Sequence, residues 1–463
     1  MPNNPSFVTL QTMPFDLTES IEERSAPGIA ATIGRAISAG DLAPGTRLPT
    51  VRQLARDLEV SPTTVSEAWR ILASVGAIDP QGRRGTFVRA APGIGGAQRY
   101  RRVTEGPGHF AVDLSTGTPD PDLLPDLRPI LSQVSRLPLT SSYLDAPVLP
   151  ELDERLRAAW PFTPESLTVV DGAMDAIDRI ARSVVRLGDR VVVEHPTFPP
   201  ILDLLEDLGA EVVGVGLDGE GPMLGELETA MGLSPSLVVL QPRAQNPTGI
   251  SLTVRRARAI ARLVAGTEAI VVEDDHSGDV ASSDLVSIGR WAPDQVVHVR
   301  SFSKSHGPDL RLAAVGGASA VVEAVAARRL IGPGWSSRIL QAVLVALLDD
   351  PVAVDQVRTA RATYAERRTM FTAAMADRGV HVGGGDGINQ WVPVSDERSA
   401  VVALAAQGIG VAPGLPFQVR PDGDHLRVTT GLVAGGSDAI DQIADRVAEA
   451  AAATHGPWSS RHR

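Results

Sequence analysis

The hydrophobic pattern begins with a helix. From Ile29 to Ala39 apolar residues recur at helical spacing, and Gly40 supplies the stop that such a helix needs. Thr50 then caps a second helix from Val51, with Leu54, Ala55 and Leu58 on one face and Val60 closing it. Ser61 caps a third helix whose first turn begins with Pro62, where the missing N–H costs nothing. After Gly76 the pattern changes to A-I-D, Q-G-R-R-G and T-F-V, which predicts a two-stranded hairpin with an Arg-rich tip. Residues 25–90 therefore read as a helix-turn-helix with a wing, preceded by a weakly structured arm over 1–24.

Residues 91–112 are rich in Gly and Pro and lack an apolar period, so they are expected to be a linker. Beyond it, from 113 to 453, apolar runs alternate with helical stretches. The strand-like runs are Leu167–Val170, Arg190–Glu194, Glu211–Val215, Leu237–Gln241, Ala269–Asp274 and Val296–Arg300. That alternation predicts an α/β fold with a mostly parallel sheet and helices on both faces. A smaller mixed α+β segment follows, with strands near Ile388–Val394 and His425–Thr430, a final helix and a polar tail over 454–463. No internal repeat or low-complexity tract interrupts this plan.

The 463 residues are 43% hydrophobic and 21% charged, enough for one large core or two to three smaller ones. The absence of cysteine excludes disulfides, thiol nucleophiles and Cys-ligated metals. No metal site is expected. The longest apolar runs, such as 342–348, fall far below the roughly 18–20 residues of a membrane span. With no basic-then-apolar leader at the start, the expected location is the cytoplasm. The net charge of −12 conceals an asymmetry, because residues 25–102 carry eleven Arg against five acidic residues. A basic module on an acidic body suits a phosphate-backbone partner.

Of the 43 basic residues, 42 are Arg and one is Lys304. Arg serves wherever a cation suffices, but it stays protonated and cannot attack a carbonyl. A desolvated Lys can. The chain's only lysine is thus the candidate for chemistry that requires an amine.

The stretch R-L-P-T-V-R-Q-L-A-R-D-L-E-V-S-P-T-T-V-S-E-A-W-R, continuing to Val88, resembles the winged helix-turn-helix of GntR-type transcription regulators. The resemblance implies a double-stranded DNA operator as partner, with the third helix in the major groove. Thr63, Thr64 and Ser66 would lie near base edges and phosphates, with Thr50 at the preceding helix start. Arg47, Arg52, Arg83 and Arg84 would meet phosphates or the adjacent minor groove. Pro62 stands where many relatives place Arg, which removes direct base readout there.

Around Lys304 the chain reads V-R-S-F-S-K-S-H-G-P-D-L-R-L, so Ser301, Ser303 and Arg311 surround the amine within one loop. An amine, neutral donors and a cation suit an aldehyde cofactor with a phosphate tail, pyridoxal 5′-phosphate. Asp274, ending the strand A-I-V-V-E-D, is the candidate carboxylate opposite the ring nitrogen. Together these residues resemble the fold-type I aminotransferases. That resemblance implies that Lys304 is the Schiff-base lysine and Asp274 the partner of the pyridine nitrogen. Asn246, in Q-N-P-T-G, would bond the ring hydroxyl. Gly172, Ala173 and Met174, opening a helix, would cradle the phosphate. Phe198 would stack on the ring, and Tyr143 would reach the phosphate of a partner subunit. Arg427, in H-L-R-V-T, would bind a substrate or effector carboxylate, with Arg243 as a second anion contact. His276 replaces the usual Tyr two residues after the Asp, and an imidazole ordinarily titrates near neutrality.

A GntR-like winged helix joined to an aminotransferase-like domain is the architecture of the MocR family, which the chain resembles over most of its length. The resemblance implies a homodimer in which each winged helix reaches the other chain's large domain. It also implies a pyridoxal-phosphate-dependent regulator that senses a small amino-containing effector through aldimine exchange at Lys304. Two other functions fit the same residues. One is a working aminotransferase with an appended winged helix, and the other is a DNA-binding protein with a dead domain that senses the cofactor itself or nothing.

Overall fold

A computed structural model describes residues 17–453 apart from 22, 40, 75, 76, 89–98, 105–109, 138–141, 143 and 144. The winged helix comprises helices Ala26–Ala39, Val51–Asp57 and Pro62–Ser74. Its caps are those expected, since Thr50 Oγ1 accepts from Gln53 N at 3.3 Å and Ser61 Oγ from Thr64 N at 3.1 Å. Ile29, Ile33, Leu54, Leu58, Val65 and Leu72 are buried together between the helices. The wing has three strands rather than two. β1 (Arg47–Leu48) pairs antiparallel with β3 (Thr86–Val88), which also pairs with β2 (Ile78–Pro80). A two-residue strand has no alternation to read, so β1 is absent from the hydrophobic pattern.

The expected linker contains a helix, Arg99–Thr104, and a short strand, β4 (Val112–Asp113). Arg99 secures the helix. Its backbone N donates to Asp203 at 2.9 Å, its Nη2 to Glu206 at 2.8 Å and its Nη1 to the carbonyl of Gln418 at 2.7 Å. Those partners lie over 100 residues away, so local periodicity could not announce the helix.

The large domain is built on β5 (Ser166–Val170), β6 (Arg190–His195), β7 (Glu211–Asp218), β8 (Gly221–Pro222), β9 (Leu237–Leu240), β10 (Ile270–Asp275), β11 (Val296–Ser301) and β12 (Ala313–Gly317). Their order is β5-β12-β11-β10-β9-β6-β7-β8, with β12 and β8 antiparallel to their neighbours. Successive residues feed opposite faces. Val191, Val193, Leu237 and Val239 join one apolar core, and Val192, Val238 and Leu240 the other. Covering both faces makes these strands continuous apolar runs rather than alternating ones. Polar residues gather where β6, β9, β10 and β11 end, the edge at which open α/β sheets place their ligands.

The 27-residue helix Pro351–Asp377 leads to the small subdomain. There β13 (Gln390–Val394), β15 (Ala412–Pro413) and β16 (Asp424–Val428) form an antiparallel sheet, and β14 (Ile409–Gly410) pairs in parallel with β4. Helices Glu397–Ala406 and Gly436–Ala452 cover it. One face of Glu397–Ala406 packs Ala400, Val401 and Leu404 onto this subdomain. From the other face Val402, fully buried, enters the winged-helix core. Gly34 lies so close that a Cβ there would meet Val402 Cγ2 at 3.2 Å. Within one chain, then, the winged helix docks on the small subdomain.

Candidate cofactor site and nucleic-acid interface

Lys304 follows β11, and its Nζ donates to the carbonyl of Gly117 at 2.7 Å. Burial, reinforced by the positive charge of Arg427, pushes the amine down to about 8, while Asp274 opposes the shift. Asp274 ends β10 and is buried. Gln241 Nε2 donates to its Oδ2 at 2.8 Å, whereas Oδ1 is buried without a hydrogen-bond partner. Burial pushes this carboxyl up to about 6 despite the Gln241 bond. Asn246 Oδ1 is likewise buried without a partner. Unsatisfied buried polar atoms are costly. Two of them, on residues joined through Gln241, with Asp274 feeling the charge of the half-buried Lys304, mark a site built for a polar ring.

A cradle adjoins them. Gly172 (φ +106°) caps the helix Ala173–Val184, and a Cβ there would lie 2.9 Å from Arg311 Nη2. Arg311, itself left-handed at φ +46°, donates from Nη2 to the carbonyl of Asp171 at 3.2 Å. Ala173 and Met174 begin the helix, where first-turn amides have no intrahelical acceptor and favour an anion. Ser301 Oγ accepts from Ser303 N at 3.3 Å, fixing the start of the Lys304 loop. Phe198, half-buried, heads the helix Pro199–Asp207 and packs against the apolar core on that face of the sheet.

Arg427 on β16 is buried, with its guanidinium 5.1 Å above the Phe417 ring and Nη2 bonded to the carbonyl of Ser115. A Cβ on Gly117 (φ +65°) would meet Arg427 Nη1 at 3.0 Å. One backbone turn thus touches both the lysine and this arginine. Sequence reasoning missed it because its contacts are carbonyls, which no side-chain pattern encodes.

Two expectations change. Arg243 is committed to Asp275, with Nε and Nη2 each 2.8 Å from a carboxylate oxygen in a buried ion pair, and it is not directed to an incoming anion. His276 does not titrate near neutrality. Its Nε2 meets the carbonyl of Ala244 at 2.9 Å, and burial together with the Lys304 charge pushes it down to about 4. A neutral ring bonded to a carbonyl through Nε2 carries its proton there. Tyr143 lies outside the described residues. Glu194, a carboxyl within the apolar β6, was also unforeseen, although an acid inside V-V-V-E-H was a readable anomaly.

On the winged helix, Arg47, Arg52, Thr63, Ser66 and Arg84 are exposed, and Thr64 is half-buried with its hydroxyl 2.8 Å from that of Ser61. Arg47 crosses the wing so closely that a Cβ on Gly85 would be 2.7 Å from its Nε. Arg83 lies in the turn Gly82–Arg84, and Thr50 is occupied as a cap. The third helix is accessible along Thr63 and Ser66.

The family model described as aminotransferase class I and II matches residues 111–447, and that of the bacterial regulatory proteins of the gntR family matches residues 26–88. The chain belongs to the class I and II aminotransferase family, with a gntR-family module at its N-terminal side. This aminotransferase-like chain is 35% identical to the vitamin B6 salvage pathway transcriptional repressor PtsJ of Salmonella typhimurium, over 88% of its own length and 95% of that protein's. It is 26% identical to the probable rhizopine catabolism regulatory protein MocR of Rhizobium meliloti, covering 73% and 74% of the two chains. Among solved structures, the kynurenine aminotransferase of Pyrococcus horikoshii superposes with a TM-score of 0.67 at 22% identity, over 76% of this chain and 92% of that one. The aminotransferase-like part therefore has the fold-type I architecture. No helix among the described residues is long and apolar enough to cross a membrane.

Proposed function

We propose that the chain is a pyridoxal-phosphate-dependent transcription regulator whose winged helix binds double-stranded DNA and whose site at Lys304 senses a small amino-containing effector. The observation that carries the reading is the combination of a half-buried amine of depressed basicity, two unsatisfied buried oxygens on Asp274 and Asn246 and a glycine-floored cradle in a chain that also presents a winged helix with Arg47, Arg52 and Arg84 exposed. When bound, pyridoxal phosphate supplies an aldehyde that reacts with primary amines and a pyridinium that withdraws electrons. Lys304, with its depressed basicity, would be the nucleophile that holds the group covalently. Asp274 Oδ1 would hold a proton on the ring, and Asn246 would bond a ring oxygen. The Ala173–Val184 helix start, Arg311 and the Ser301–Ser303 turn bind the phosphate. Arg427 receives a carboxylate of the effector, which takes the place of the Ser115 carbonyl. Exposed apolar side chains at Leu330, Ile331, Ile339 and Val352 support a homodimer.

The visible spectrum of the purified protein tests the cofactor, with hydride reduction followed by peptide mass mapping to place it. A label on Lys304 that vanishes in Lys304→Ala is expected, and a colourless, unlabelled wild type overturns the reading. A second reading is favoured by the similarity to the vitamin B6 salvage repressor, namely that the cofactor itself is the signal. DNA affinity that responds to pyridoxal phosphate alone, and to no added amine, selects it. Rapid conversion of the bound cofactor by common amino acids would instead select a working aminotransferase.

A further inference from the structure

Gln241 follows β9 and is buried, and it makes three hydrogen bonds. Its Nε2 donates to Asp274 Oδ2 at 2.8 Å, and its Oε1 accepts from Asn246 N at 2.7 Å. Its own backbone N donates to Glu194 Oε2 at 3.1 Å. One amide side chain therefore spans the two residues that would grip the cofactor ring on different atoms, and a buried carboxyl fixes the backbone from which it projects.

We propose that Gln241 is a positioning residue for the cofactor ring, setting Asp274 and Asn246 in one register with Glu194 as its backbone anchor. This rests on the cofactor reading above. Gln241 uses both ends of its amide, so it cannot rotate by half a turn without breaking two bonds at once. The Asp274 oxygen that it does not touch is the unsatisfied one, and the Asn246 atom left unsatisfied belongs to the residue whose backbone it holds. Glu194 supports the arrangement electrostatically. Two buried carboxyls in one network do not both ionise at low cost. Glu194 is pushed up to about 8 by burial, while Asp274 reaches only about 6, with Lys304 and His298 favouring its charge and Asp275 opposing it. At neutral pH the negative charge accordingly resides on Asp274, where a pyridinium needs it, and the Gln241 N–H steadies it.

The test is a binding cycle on the full-length chain, read by absorbance titration with pyridoxal phosphate and by hydride trapping. Gln241→Leu, and Gln241→Met as a second variant that fills the same volume, should retain the label on Lys304 but bind the cofactor about tenfold to a hundredfold more weakly, the range for losing a hydrogen bond to a charged group. In an Asp274→Asn background the same substitutions should cost less than threefold further, since the partner is already altered. A purely structural role would leave the two effects multiplicative, and that result overturns the proposal. Wild-type affinity in both Gln241 variants overturns it as well. A wild type that takes up no cofactor defeats the underlying reading instead, so the two failures are distinguishable.

Discussion

Replacing Gly172 by alanine tests the cradle at its floor. At φ +106° and ψ 164° the residue occupies a region open essentially to glycine alone, so a side chain costs about 1–3 kcal/mol in backbone strain. The added Cβ would also stand 2.9 Å from Arg311 Nη2 and 3.2 Å from its Cζ, so the guanidinium must leave the cradle or the helix start must shift. A charge-assisted bond is worth about 1.5–3 kcal/mol, and because Arg311 is exposed the lower end applies. Cofactor affinity should therefore fall about tenfold. Gly188→Ala is the matched control, since Gly188 has φ +83° but nothing within 4 Å of its would-be Cβ. Both variants should lose thermal stability without cofactor, and only Gly172→Ala should lose affinity in an absorbance titration. Equal affinities for the two variants would refute the argument.

Lys304, pushed down to about 8, should capture pyridoxal phosphate at a rate that rises with pH and levels off just above 8; in stopped flow, a rate still climbing near pH 10 would mean an ordinary lysine, whose pKa is about 10.4. Glu194, raised to about 8 from an unfolded value of about 4.3, binds its proton more tightly when folded, so its stabilising contribution is complete below about pH 4 and is lost as pH rises through about 8. The Tm of wild type minus that of Glu194→Gln should thus decline between about pH 5 and 8, and a flat difference would contradict it. Arg52→Ala combined with Arg84→Ala should weaken DNA binding and lower the slope of log affinity against log salt by roughly 2 per winged helix bound, roughly 4 for a homodimer; an unchanged slope would remove both from the phosphate contacts.

Much of this was legible in the chain. Because β6, β9, β10 and β11 are covered on both faces, their apolar runs stood out, and the same runs located the polar ends that carry Asp274 and Lys304. Arg-for-Lys usage isolated Lys304 before any fold was known. β12 escaped notice, since Ala313–Gly317 is made of small residues that become a strand only between β5 and β11. The residue type of Arg243 suggested an anion contact, but its partner Asp275 is set by the sheet, not by spacing. The shift at His276 follows from burial, which a two-residue offset from Asp274 cannot convey. Gly117, Ser115 and Gln241 act through backbone atoms or through partners distant in sequence, and so left no local trace.

The apolar seam at Val402 has a mechanical corollary. With a lobe residue completing the hydrophobic interior of the DNA reader, those two pieces travel together unless the seam is wetted. Arg427 belongs to the same lobe, so an anion that draws on its guanidinium pulls on the mount of the reading helix. In a symmetric pair of such chains, the separation of the two readers along the duplex would follow the tilt of the lobes.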